Sequence, residues 1–282
     1  MSSSLRSILL HLDASPRSAV RMQLARQLAE EHDAAVTALY ATAPTLLDIP
    51  LVMSDGASGA LPLLLQLEDE RRDAAHTLFE QANAGASNRP MQWRELRATP
   101  VIRGVAEHSL CTDLMVLGQF DADDVRALGV PQDLVASALI ASGQPALVVP
   151  YAGEFKTVGR RMLVAWKPTR EAARAVCAAL PLLRRAERVH LSAPPDEAPG
   201  GGCGVPELEA FLRLHGVAVE IARHGAVPEG EPGEGLLSLA ADVDADLLVM
   251  GCYGHSRARE LVLGGASRTV LKSMTLPVLM AH

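Results

Sequence analysis

The chain has few aromatic residues: two Trp, three Tyr and four Phe make up 3% of its 282 positions. With 49% hydrophobic residues overall, its cores must be filled by Leu, Val, Ile, Ala and Met. Aliphatic strands of that kind suit a parallel sheet buried under helices on both faces. Cysteine is scarce as well. Cys111, Cys177, Cys203 and Cys252 form no CxxC pair and no zinc-like spacing, so thiolate metal sites and dithiol chemistry drop out. Cys177 falls in a helical pattern and is expected in the core. Cys252 is expected to be an inert, partly exposed thiol rather than a redox centre. No apolar run reaches the ~18 residues that cross a bilayer, and no cationic-then-apolar leader is visible. These absences predict a cytoplasmic protein without a membrane partner. The formal net charge of −7 speaks against nucleic acid as a partner.

Catalytic signatures are missing too. There is no nucleophile elbow, no HExxH and no loop ending in Gly-Lys-Ser/Thr. A dinucleotide fingerprint would follow the first strand, but the first turns, Asp13–Pro16 and Lys167–Arg170, lack glycine. No catalytic or metal-ligating residue is assigned. Asp121, Asp123 and Asp124 read as a solvated acidic turn. His108 with Cys111, and His215 with His224, lack supporting ligands.

What is present is a repeat. A chain of this length fits two domains of roughly 150 residues better than one, and its halves align. Ser7–Leu12 runs into Asp13 and Ser15; Arg161–Trp166 runs into Lys167 and Thr169. Ser15 and Thr169 can each cap the helix that follows. Val20, Leu24 and Leu28 mark one buried helix face, and Ala172, Val176 and Leu180 mark its counterpart. Asp113–Gly118 parallels Asp246–Gly251, and Gln144–Val149 parallels Leu276–Met280. The remaining strands are expected at Ala35–Tyr40, Gln92–Leu96, Val189–Ala193 and Val217–Ala222. The first copy has roughly 20 extra residues, placed in Ala43–Gln66, where Pro and Gly interrupt any regular element and a long lid-like loop is expected.

Five strand signals alternate with four helix signals in each half. The expected fold is therefore α/β: two tandem Rossmann-like domains, 1–152 and 160–282, each an open five-stranded parallel sheet with helices on both faces. Tyr151–Gly159 is the expected junction.

In such sheets ligands sit beyond the C-terminal strand ends, where the strand order reverses. In the second copy the fourth strand leads into Gly251-Cys252-Tyr253-Gly254, and Gly264-Gly265-Ala266-Ser267 opens the last helix. Gly251 and Gly254 allow close backbone approach to an anion. Gly264, Gly265 and Ala266 offer free N–H groups at a helix N-terminus, and Ser267 adds a hydroxyl. Gly251-x2-Gly254-x9-Gly264 resembles the loop of the ATP-binding universal stress proteins, a family with the adenine nucleotide alpha hydrolase-like fold. At the next position Gly265 stands where that family has Ser or Thr, which removes one side-chain phosphate contact; Ser267 falls on a second hydroxyl position.

The resemblance implies an adenine nucleotide, ATP first among them, with Mg as an open companion. It implies a stress-response or regulatory role, and an intramolecular pseudo-dimer in which Pro145–Val149 and Pro277–Met280 pair edge to edge. A homodimer stays open, and no protein partner is indicated. Ala165 and Ser192, at the ends of the first two strands of the second copy, are expected to line the base. Lys167 stands where the family has an Asp near adenine and ribose. It either meets a phosphate or ribose hydroxyl or weakens adenine recognition.

The first copy keeps Asp13 but has lost the loop: after Gly118 come Asp121, Asp123 and Asp124, where the second copy carries His255, Arg257, Arg259, Arg268 and Lys272. Like charges there oppose a polyphosphate, so at most one nucleotide site per chain is expected. The alternatives are a slow ATPase or nucleotide hydrolase, and a nucleotide-free interaction module.

Overall fold

The computed structural model describes residues 4–43, 61–84, 90–96, 99–193, 204–218, 221–225, 232–252 and 265–282. They fall into two compact units, Arg6–Ser142 and Gly143–His282, the second taking in the N-terminal residues through Leu5.

The first unit runs β1 (Ser7–Leu12), α1 (Arg17–His32), β2 (Ala35–Tyr40), α2 (Leu61–Ala84), β3 (Gln92–Glu95), α3 (Val101–Ser109), β4 (Leu114–Gly118), a 3-10 turn (Val125–Ala127) and α4 (Leu134–Ser142). Its strands lie in the order β3-β2-β1-β4 and are all parallel. Chain order runs outward from β1 to β3 on one side and resumes with β4 on the other, so the crevice between the ends of β1 and β4 is the switch point.

The second unit runs β5 (Ala146–Val149), β6 (Arg161–Ala165), α5 (Arg170–Leu183), β7 (Arg188–Ser192), α6 (Val205–Leu214), β8 (Ile221–His224), α7 (Pro232–Asp242), β9 (Leu247–Gly251), α8 (Gly265–Ser273) and β10 (Val278–Ala281). Five strands, β10-β9-β6-β7-β8, are parallel, with the switch point between β6 and β9. β5, the last strand of the first copy by sequence, packs in this unit. It lies antiparallel on β10, with Val148 opposite Val278 and Ala146 opposite Met280. Each strand thereby covers an edge of the other that would otherwise invite pairing with a foreign chain.

Central strands are apolar throughout because helices cover both their faces: Leu114–Leu117 and Leu247–Met250 are wholly buried. Both β4 and β9 are preceded by an aspartate that organises the start of the neighbouring strand. Asp113 Oδ2 accepts the backbone N–H groups of Arg6 and Ser7 at 2.7 and 2.9 Å. Asp246 accepts from the Thr157 hydroxyl and from the N–H groups of Gly159, Arg160 and Arg161 at 2.7–3.1 Å. These are carboxylate hydrogen bonds to backbone donors that would otherwise lack partners at the sheet end.

Several expectations are corrected. The buried face of α1 is Ser18, Arg21, Met22, Leu24, Ala25, Leu28 and His32, turned so that Val20 is only half-buried. Ser15 makes no side-chain cap; Pro16 occupies the N-cap of α1, and the Ser15 N–H instead donates to Asp13 Oδ1 at 2.8 Å. Thr169 does cap α5, its hydroxyl accepting from the Ala172 N–H at 3.3 Å. Cys177 is exposed on α5. β8 starts at Ile221 rather than Val217, because the turn that follows α6 passes through Gly216 with φ +80° and the Val217 N–H closes back on the Leu212 carbonyl at 3.0 Å. That left-handed turn takes Val217 into the core as part of the helix stop. The Ala43–Gln66 stretch lies outside the described residues over 44–60, and α2 already begins at Leu61, with Pro62 tolerated in the first turn.

Candidate functional site

At the second unit's switch point, Ala165 ends β6, half-buried between Ser192 of β7 and Met250 of β9 in register. The Ser192 hydroxyl is buried and donates to the Gly225 carbonyl at 3.3 Å. Both residues expected at the base therefore sit at adjacent strand ends, with the Ser192 proton already committed. Lys167 follows on the exposed turn, its carbonyl accepting from the Thr169 N–H at 2.7 Å.

Between them Trp166 is 6% exposed, and its indole Nε1 finds no acceptor among the described residues. A buried N–H without a partner is uncommon in a folded chain. Sequence reasoning passed over Trp166 because an aromatic at a strand end reads as core.

Gly251 ends β9 directly against the start of α5. A Cβ there would come within 2.5 Å of the Ala172 nitrogen and 2.6 Å of the Glu171 carbonyl carbon, so glycine is required by close packing of helix on strand. Cys252 is buried, and its thiol donates to the Ala281 carbonyl at 3.2 Å. Burial, with the nearby Glu171 charge, pushes that thiol up to about 12. It is an inert group, more deeply covered than expected. Glu171 is itself buried and takes a hydrogen bond from Arg170 Nε, whose guanidinium reaches solvent. Burial raises the Glu171 carboxyl, and the Arg170 hydrogen bond leads the effects that bring its net shift downward.

Gly254 and Gly264, with His255, Arg257 and Arg259, lie outside the described residues. The loop's far end is described. α8 begins at Gly265, which is exposed and has open space where a Cβ would go; Ala266 is half-buried and Ser267 is 5% exposed. The first N–H groups of α8 have no acceptor within the helix. Exposed Arg268 and Lys272 lie on the same helix.

The first unit's switch point is built differently. Arg21, 3% exposed, reaches from α1 between the ends of β1 and β4. Its Nη2 binds Asp13 Oδ2 at 2.7 Å and the Ser18 hydroxyl at 2.8 Å, and its Nε donates to the His11 carbonyl at 3.1 Å. Burial alone would raise the Asp13 carboxyl; the Arg21 charge, helped by His11 and Ser15, more than offsets this and holds it at about 2. His11 is driven down from its ordinary value, first by burial and then by Arg21, against the opposing pull of Asp13. Its Nε2 carries a proton to the Ala41 carbonyl at 2.8 Å.

The acidic turn beyond β4 is self-satisfied: Asp121 accepts the Asp123 N–H, and Asp124 accepts the Arg126 N–H and Nε. Among the described residues no group of three or more His, Cys, Asp and Glu could hold a metal. His190 and His224 pair through Nδ1 and Nε2 at 3.0 Å on β7 and β8, a contact that sequence spacing did not reveal.

Comparison with known proteins bears directly on the second half. The model of the Universal stress protein family matches residues 159–282. The second half is a universal stress protein domain. The whole chain is similar in fold to a universal stress protein from Archaeoglobus fulgidus DSM 4304, with TM-score 0.69 at 16% identity, over 98% of this chain and 95% of that one. It is also similar to the functionally unknown protein PA1789 from Pseudomonas aeruginosa PAO1, with TM-score 0.56 at 14% identity, over 98% of this chain and 92% of that one. At those identities the likeness speaks to fold alone. Universal stress protein Slr1230 from Synechocystis is 42% identical over 50 residues, a stretch of 18% of this chain and 17% of that relative. No helix among the described residues is long and apolar enough to cross a membrane.

Proposed function

We propose that the universal stress protein domain binds an adenine nucleotide, with ATP the first candidate, and that the chain acts as a nucleotide-responsive stress or regulatory protein. The observation that carries this reading is the arrangement at the β6–β9 switch point. There Gly251 brings the strand end against the start of α5, and the first turn of α8 is built from Gly265, Ala266 and Ser267. Free N–H groups with a hydroxyl beside them suit phosphate oxygens. The Trp166 N–H, without a partner among the described residues and next to Lys167 in the chain, is a donor suited to a polar ligand group at the same strand end. Gly254, Gly264 and the bases between them belong to the site by sequence alone.

Titration calorimetry with Mg-ATP tests the proposal. Wild-type protein is expected to bind, Ser267→Ala to bind at least about 10-fold more weakly through loss of one hydrogen bond to a charged group, and Gly254→Asp not to bind. No heat from wild-type protein at millimolar ATP would sink the reading.

A further inference from the structure

We propose that the first half holds a ligand site occupied by the protein's own arginine: the Arg21 guanidinium, seated on Asp13 between the ends of β1 and β4, is the bound group, and a small planar cation is the ligand class that the site takes. The guanidinium is held by two of its nitrogens and packed at the third. Nη2 meets Asp13 and Ser18, Nε meets the His11 carbonyl, and Nη1 lies where a Cβ on Gly118 would be. Gly118 and Asp13 align with Gly251 and Lys167 of the second half, so the occupied space is the counterpart of the proposed nucleotide crevice.

Three further features fit an occupied site rather than an incidental ion pair. The position aligned with Arg21 is Ala175, fully buried and without charge. Arginine is rarely buried unless paired, and here the pairing spans a strand end, a helix and a loop start. The turn after β4 also closes over the end of β2: Gly129, at φ +93°, accepts from the Ala43 N–H at 2.7 Å, and its α-carbon faces the Ala43 carbonyl. The crevice is thus filled from below by α1 and tied above by its own loop.

The test is chemical rescue. Arg21→Ala leaves a guanidinium-sized space beside a buried carboxylate. Guanidinium chloride at ~20 mM, far below denaturing concentration, is expected to raise the Tm of Arg21→Ala saturably by about 2 °C or more over equal NaCl. It should not do so for wild-type protein or for Asp13→Asn/Arg21→Ala. No difference between the two salts in Arg21→Ala overturns the proposal.

A second arm uses wild-type protein and does not depend on recovery of the variant. Photolabelling with an azido-ATP, followed by peptide mapping, is expected to leave residues 6–142 unlabelled. Label competed by ATP within Arg6–Ser142 overturns the occupied site whatever the second half does. Absence of label in the second half would count only against the nucleotide reading.

Discussion

The two halves solve one packing problem in opposite ways. Where β1 and β4 part in the first half, a guanidinium on a long flexible stem fills the gap and a carboxylate neutralises it. Where β6 and β9 part in the second, Ala175 withdraws the side chain, the α5 backbone moves up against Gly251, and Lys167 stands at the surface where its counterpart Asp13 is buried. Two units with the same strand order therefore need not close their switch points in the same way. A few positions on the first strand and first helix decide whether the crevice is closed by the protein's own charge or left for something else.

The comparison can be broken most forcefully at its ion pair. Removing one partner of a buried pair strands the other, so Arg21→Ala should cost about 3–5 kcal/mol, read from the urea midpoint, whereas Asp13→Asn/Arg21→Met, which removes both charges at similar volume, should stay within about 1–2 kcal/mol of wild type. Equal losses in the two variants would mean that packing, not charge, closes the crevice.

Glycine gives the next test, on the other half. Gly251→Ala forces a methyl onto the α5 backbone and should cost about 1–3 kcal/mol, while Gly265→Ala meets open space and should change stability by less than about 1 kcal/mol. Thermal melts of both distinguish a glycine required by packing from one that packing leaves unconstrained.

The smallest expected effect is on pH dependence. Asp13 has a folded value of about 2 against an ordinary 3.8, so its contribution is present above pH ~4 and is lost as pH falls toward 2. His11 is also depressed in the folded state, so the unfolded chain gains its proton first and stability starts to fall below pH ~6.5. Both act in the same direction. Wild type should lose Tm steadily from pH 6.5 downward, and Asp13→Asn/Arg21→Met should lose less below pH 4.

Much of this was legible in the residues. Ser7–Leu12 and Ala35–Tyr40 form strands with the bounds that their apolar runs suggest, and Ala172, Val176 and Leu180 are buried as their spacing requires. The sequence pattern misplaces β8 because it is a four-residue edge strand whose second half, Arg223 and His224, is polar, while the apolar residue that attracts the assignment, Val217, serves the stop of α6. Arg21 was illegible for a stronger reason. In a helical pattern a cation reads as the solvent face, and only its pairing with a carboxylate at the end of another element makes its burial affordable. Trp166 shows the same limit: that its N–H has no partner among the described residues is a property of the surroundings, not of the residue.

Asp246 carries a consequence for modularity. One carboxylate gathers Thr157, Gly159, Arg160 and Arg161, so the stretch leading into β6 is built into the second unit. Three of the four donors lie ahead of β6 and the fourth is its first residue. Excising the universal stress protein domain at residue 160 would cut away two of those donors and expose the β10 edge that β5 now covers. A portable version of the domain has to begin upstream of β5.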